Sequence, residues 1–167
     1  TVVVTNHAIS AENPETCTDQ QYRVTATACT PETYVVTSAD DTPVRSGGMT
    51  LREAIDAANT HLGHDIINFS LSGDDIINLD AALGALNITE DVTIEGYDTA
   101  RPIVDGGNAM QIFTIENDVD VTMDNFSIRR GSASGIFGGA IRNGSGVLTL
   151  VDMVISESSA YAGGAIY

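Results

Sequence analysis

The chain has 167 residues, 43% hydrophobic but only 5% aromatic and without Trp, and it sets 23 Asp and Glu against 7 basic residues for a formal net charge of −16. That length holds one domain with a real core, or one domain with an arm, and an apolar mass of Ile, Val, Leu and Ala suits many thin strands better than a few aromatic cores. The charge argues against nucleic acid and anionic membrane as partners, and no run approaches the roughly 20 apolar residues of a membrane span.

All seven basic residues are Arg, at positions 23, 45, 52, 101, 129, 130 and 142. Three readings of so acidic a surface stand: solubility in the extracellular medium, hydration in a saline habitat, or divalent-cation binding by clustered carboxylates. Thr1-Val2-Val3-Val4, with no initiator Met and no signal peptide, reads as a mature N-terminus or an artificial boundary.

Residues 1–48 form a first region. Thr1 to Thr5 and Tyr34 to Ser38 are short β-branched runs expected as strands. Between them lies a polar, Thr-rich stretch carrying the two cysteines, Cys17 and Cys29. In an exported protein these would pair, closing a loop that contributes about 3 kcal/mol by constraining the unfolded chain; the alternative is two free thiols. No Cys/His spacing of a zinc site occurs. Asp40 to Gly48 is turn chemistry throughout.

Residues 49–63 are expected to be a helix. Thr50-Leu51-Arg52-Glu53 is a capping box, and Leu51, Ala54, Ile55, Ala58 and Leu62 fall on one narrow apolar stripe. A face this small builds no core of its own; it covers an edge.

From residue 64 onward the pattern is of strands between turns. Asp65-Ile66-Ile67-Asn68-Phe69 is echoed by Asp75-Ile76-Ile77-Asn78-Leu79. A longer echo aligns Val92-Thr93-Ile94 with Val121-Thr122-Met123 and Leu148-Thr149-Leu150, at offsets of 29 and 27, and Gly138-Gly139-Ala140-Ile141 returns 25 residues later as Gly163-Gly164-Ala165-Ile166. A near-constant period of this length is the signature of stacked coils. In each unit the two apolar residues point one way and the Thr the other. Stacking therefore predicts one interior column of Ile94, Met123 and Leu150 and another of Val92, Val121 and Leu148. The glycine pairs at 106–107, 138–139 and 163–164 are expected at tight corners. The expected fold is all-β: a right-handed, single-stranded parallel β-helix over residues 64–167, continuing past Tyr167, with the amphipathic helix as its N-terminal cap. An open first coil would expose both core and hydrogen-bonding edge, and the helix stands where a cover is required.

Thr50-Leu51-Arg52-Glu53-Ala54-Ile55, followed by Ala57-Ala58-Asn59, resembles the N-terminal motif of the CSLREA-type surface proteins of bacteria and archaea. Gly139-Ala140-Ile141-Arg142-Asn143 and Gly164-Ala165-Ile166-Tyr167 are similar to the repeats that follow that motif, as are Asp65 to Phe69, Val92 to Gly96 and Ile103 to Gly106. The resemblance spans roughly residues 33–167; Met49-Thr50 replaces the Cys-Ser of the motif, and residues 1–32 fall outside it. The Gly-Gly-Ala-Ile echo also resembles the β-helical polymorphic outer-membrane proteins of chlamydiae, in architecture only. The resemblance implies an exported protein, extracellular or at the cell surface, in which the helix is a structural cap.

Arg129-Arg130 precedes a Gly-rich turn. An Arg serves in β-elimination on acidic sugars in pectate-lyase-like β-helices, but a pair neutralising nearby Asp118, Asp120 and Asp124 is the favoured reading. Among 23 acidic residues no pair has a spacing that marks a glycosidase. Asp40, Asp41, Asp74 and Asp75, at turns, are the candidates for calcium, the one cofactor entertained. His61, His64 and Asp65 form a string better explained by a helix C-terminus than by a metal. Asn68, Asn87, Asn125 and Asn143 each open an Asn-x-Ser/Thr triplet. The functional expectation is a non-enzymatic structural or adhesin-like module whose partners are glycans, cell surfaces or further copies of itself. The rivals are a β-helical polysaccharide lyase or glycoside hydrolase, and a filament subunit joined by strand addition through residues 1–32.

Overall fold

The computed structural model describes residues 30–41, 47–71, 76–97 and 101–167. The expected strand at 1–5, both cysteines, Asp74 and Asp75 lie outside the described residues. The chain opens with β1 (Thr33–Val36) and α1 (Leu51–Ala58). It then winds through β2 (Asp65–Phe69), β3 (Ile76–Asn78) and β4 (Leu86–Ile88) as a first coil. β5 (Val92–Glu95), β6 (Ile103–Asp105) and β7 (Phe113–Ile115) make a second. β8 (Val121–Asp124), β9 (Ser127–Arg129), β10 (Ser132–Phe137) and β11 (Ile141–Arg142) make a third, and β12 (Leu148–Val151), β13 (Val154–Ser156) and β14 (Ser159–Ala162) begin a fourth.

Strands of the same order in successive coils pair side by side. The first face is a five-stranded sheet β1-β2-β5-β8-β12, the second is β3-β6-β9-β13 and the third is β4-β7-β11, with β10 and β14 as a further pair. Every pairing among the described strands is parallel. The molecule is a parallel β-solenoid of about three turns.

The reason lies in the two-residue alternation. In β5 and β8 the first and third residues are buried and the threonine between them is half-exposed. Register then stacks like on like: Ile67, Ile94, Met123 and Leu150 form one column, and Val92, Val121 and Leu148 another. Each side chain fully buried this way contributes roughly 1.5–3 kcal/mol. The Asp65–Phe69 and Asp75–Leu79 segments are not successive coils. β2 lies in the first sheet and β3 in the second, so their echo joins two faces of one coil.

One irregularity in the core follows from a single glycine. Gly96 follows Glu95, the last residue of β5 to pair with both β2 and β8, and brings no side chain to this position. Phe126 fills that gap and meets Phe69 with ring centroids 5.7 Å apart. A Cβ on Gly96 would lie 1.9 Å from the Asn125 carbonyl oxygen and 3.2 Å from Phe126 Cβ, so the gap admits nothing larger.

The helix is shorter than the stripe predicted. It ends at Ala58, and Leu62 is 44% exposed rather than part of the buried face. Asn59 is the cause: its Nδ2 donates to the Asn87 carbonyl at 2.7 Å, and its Oδ1 accepts from the Thr89 amide at 2.8 Å. That tie pins the helix end to the turn after β4, and the chain turns away into β2. The face that remains, Leu51, Ala54, Ile55 and Ala58, is buried in the solenoid core and packs on β1, β2 and β4.

Candidate functional site

The polar side chains gather in three places. The first is the junction of helix and coil. Thr50 Oγ1 accepts from the Glu53 amide at 3.1 Å while the Thr50 amide donates to Glu53 Oε2 at 3.0 Å, closing the capping box. Arg52, the neighbour within that box, turns outward. Its Nε and Nη2 donate to the two carboxylate oxygens of Asp41 at 2.8 and 2.9 Å, and its guanidinium also reaches the carbonyls of Gly84 and Ala85. Asp41, 2% exposed, further accepts from the Asp80 amide at 2.9 Å. Asp41 is thus a buried anion matched to a guanidinium. Asp40 lies beside Ser38, its Oδ2 accepting from the hydroxyl at 3.2 Å. Among the described residues no group of three His, Cys, Asp or Glu could hold a metal.

The second place is the start of β2. His61 Nδ1 lies 2.9 Å from Oδ1 of Asp65, whose side chain is wholly buried, and the Glu32 amide donates to the same oxygen. His64 Nε2 lies 2.6 Å from Thr93 Oγ1. The two histidines therefore turn to different partners and do not converge. Burial, then the hydrogen bond to the Glu32 carboxylate, pushes the Tyr34 phenol up to about 12. Burial next to Asp91 and Asp65 raises Glu90 above the usual carboxylate range.

The third place is on the second sheet. Asp105, at the end of β6, has a side chain with no exposed surface. Its Oδ1 accepts from the Gly107 amide at 2.9 Å and Arg130 Nε at 2.8 Å, and its Oδ2 from Arg129 Nε at 2.7 Å and Arg130 Nη2. The arginines therefore do not neutralise Asp118, Asp120 and Asp124, as the linear spacing suggested. They reach one coil back, because β9 lies in register on β6 and sets Arg129 opposite Asp105. Burial alone would raise the Asp105 carboxyl, but the bonds from Arg130, Gly107 and Arg129 outweigh it and hold it below its ordinary value. Nothing in the linear sequence marked Asp105; the signal was the register, which puts Asp105 of the Ile-Val-Asp-Gly strand beside Arg129.

The glycine corners divide their labour. Gly138 has φ of 69°, a conformation costly for other residues. Gly139 is instead a close approach: a Cβ there would lie 2.5 Å from the carbonyl oxygens of both Gly164 and Ser159. One coil later Gly163 and Gly164 take φ of 72° and 34°, and the Gly139 amide donates to the Gly164 carbonyl at 2.8 Å. Of the four Asn-x-Ser/Thr sites, Asn87 is exposed and bonded to Thr114 Oγ1 at 2.8 Å. Asn143 donates to the Gly146 carbonyl at 2.8 Å, Asn68 has a buried side-chain oxygen, and Asn125 sits at φ of 60°. No helix among the described residues is long and apolar enough to cross a membrane.

Compared with family models, curated proteins and solved structures, the chain matches none.

Proposed function

We propose that the chain is a helix-capped exported β-solenoid, extracellular or at the cell surface, related to the CSLREA-type proteins it resembles. On this reading it serves as a structural or adhesin-like module without catalysis within these residues. The observation that carries the reading is where the polar side chains are engaged. Asn87 with Thr114, Asp118 with Ser145, and Asp120 with the Val147 amide all bond across 27 residues, and Asp91 with the Asp120 amide across 29. These groups lace each coil to the next, as an elongated spacer requires, rather than converging on a cleft. The adhesin part of the reading is supported by clustered exposed aromatic residues on β10, β14 and the segment that follows, where Phe137 stacks on Tyr167 at 4.3 Å beside the 81%-exposed Tyr161. Exposed aromatic groups of this kind mark interaction sites.

The purified chain is to be incubated with a panel of neutral and acidic polysaccharides. The expected result is retention on immobilised glycan that Tyr161→Ala weakens, with no new reducing ends and no unsaturated products. Turnover of any polysaccharide would replace this reading with the lyase or hydrolase.

A further inference from the structure

The carboxylate of Asp105 offers about four acceptor positions, and the Gly107 amide, Arg129 Nε, Arg130 Nε and Arg130 Nη2 occupy them. Asp105 is therefore full. Arg129 touches it through Nε alone, so both of its terminal nitrogens are turned elsewhere, as is Arg130 Nη1. No described residue accepts from these three groups, and the two side chains are 31% and 36% exposed. Two guanidinium charges stand on one carboxylate in a chain of net charge −16. A guanidinium held at Nε presents its two terminal nitrogens as a planar fork whose geometry matches a carboxylate.

The surroundings add to this. In β13, Ser156 lies in register with Arg129 on the far side from Asp105, and its hydroxyl makes no hydrogen bond to a described residue. Arg130 sits at φ of 54°, a conformation that disfavours a long side chain, yet its side chain is fixed by Asp105. Glu157, one coil on at the matching corner with φ of 52°, is the other charge that acts on Arg130, and it makes no ion pair with it. Asp105, Arg129, Arg130 and Glu157 are the charged groups that act on one another here.

We propose that Arg129 and Arg130, anchored on Asp105 and flanked by Ser156, form a binding site for a single carboxylate on a small ligand that is otherwise uncharged. A polyanion is disfavoured by the net charge. The ligand carboxylate sits on the Arg129 fork, with the Ser156 hydroxyl as an additional donor and Glu157 as its internal competitor. The site is independent of whether the solenoid is structural or enzymatic, since it needs no turnover.

The test is a nitrogen-15 NMR titration of the whole chain with sodium glucuronate, with glucose as the uncharged counterpart and sodium chloride matching the ionic strength throughout. Glucuronate is expected to give saturable shifts of the Arg129 and Arg130 Nε–H signals and the Ser156 amide, and glucose none. Arg129→Gln and Arg129→Lys should each weaken binding at least tenfold, because neither retains the fork. Glu157→Gln should tighten it severalfold. The same spectra report whether each variant is folded, and Glu157→Gln leaves the Asp105 anchor untouched. Absence of a saturable shift, equal shifts with glucose, or undiminished binding by Arg129→Lys would each overturn the proposal.

Discussion

Asp105 shows how burial and pairing compete on one residue. Removing a carboxylate from water is costly, and only its hydrogen-bonded partners recover that cost. Because its folded pKa lies below the ordinary value, the unfolded chain binds the proton more readily there. Its contribution to stability is therefore complete above the ordinary carboxylate range and is lost as pH falls through the folded value. Asp105→Asn is expected to cost about 2 kcal/mol at neutral pH and to flatten the acid limb of a stability-against-pH curve from urea unfolding. An acid limb as steep as in the unaltered chain would show that Asp105 carries none of it.

At the scale of elements, α1 is held to the coil by Arg52 as well as by its narrow apolar face. The pair with Asp41 is nearly buried at both ends, with side chains 14% and 2% exposed. Arg52→Leu leaves that carboxylate unmatched and should cost about 3 kcal/mol, measured by chemical denaturation. The double substitution Arg52→Leu with Asp41→Leu should recover part of the loss, since it removes the stranded charge as well. The corners obey a harder rule. Gly139→Ala puts a methyl group 2.5 Å from two carbonyl oxygens of the next coil, and since neither belongs to a flexible side chain, the backbone must move. The expected outcome is loss of protection from hydrogen exchange in β11 and β14, while β2 and β5 keep theirs, because in a stacked array each coil leans only on its neighbours.

At the scale of the whole molecule, the core column is fully buried through the first three coils and partly exposed in the fourth. Met123 is 0% exposed, whereas its register partner Leu150 is only partly buried, as are Leu148, Met153 and Ile155. Met123→Ala is accordingly expected to cost about 3 kcal/mol and Leu150→Ala less than half as much, both read from denaturation midpoints. Equal costs would mean that the last coil is as firmly packed as the middle one. The columns Val92-Val121-Leu148 and Ile94-Met123-Leu150 were legible because a two-residue alternation repeated at nearly constant spacing admits one stacking register. The capping box was legible because its four residues are adjacent. The early end of the helix was not, because Asn59 is held by the Asn87 carbonyl of β4 and the Thr89 amide just after it, about 30 residues along the chain.

The sequence by itself determined the coil period, the inward residues of the three Val-Thr-Ile-type strands, the glycine corners of the Gly-Gly-Ala-Ile repeats and the start of the helix. All of these follow from local alternation, local hydrogen bonding or the steric needs of one residue. Only the tertiary structure decided which charges meet. Asp41 with Arg52 and Asp105 with Arg129 and Arg130 are separated by 11, 24 and 25 residues along the chain. Asp105 meets its arginines because parallel winding sets β9 in register on β6, and Asp41 meets Arg52 because the helix folds back on the segment that precedes it.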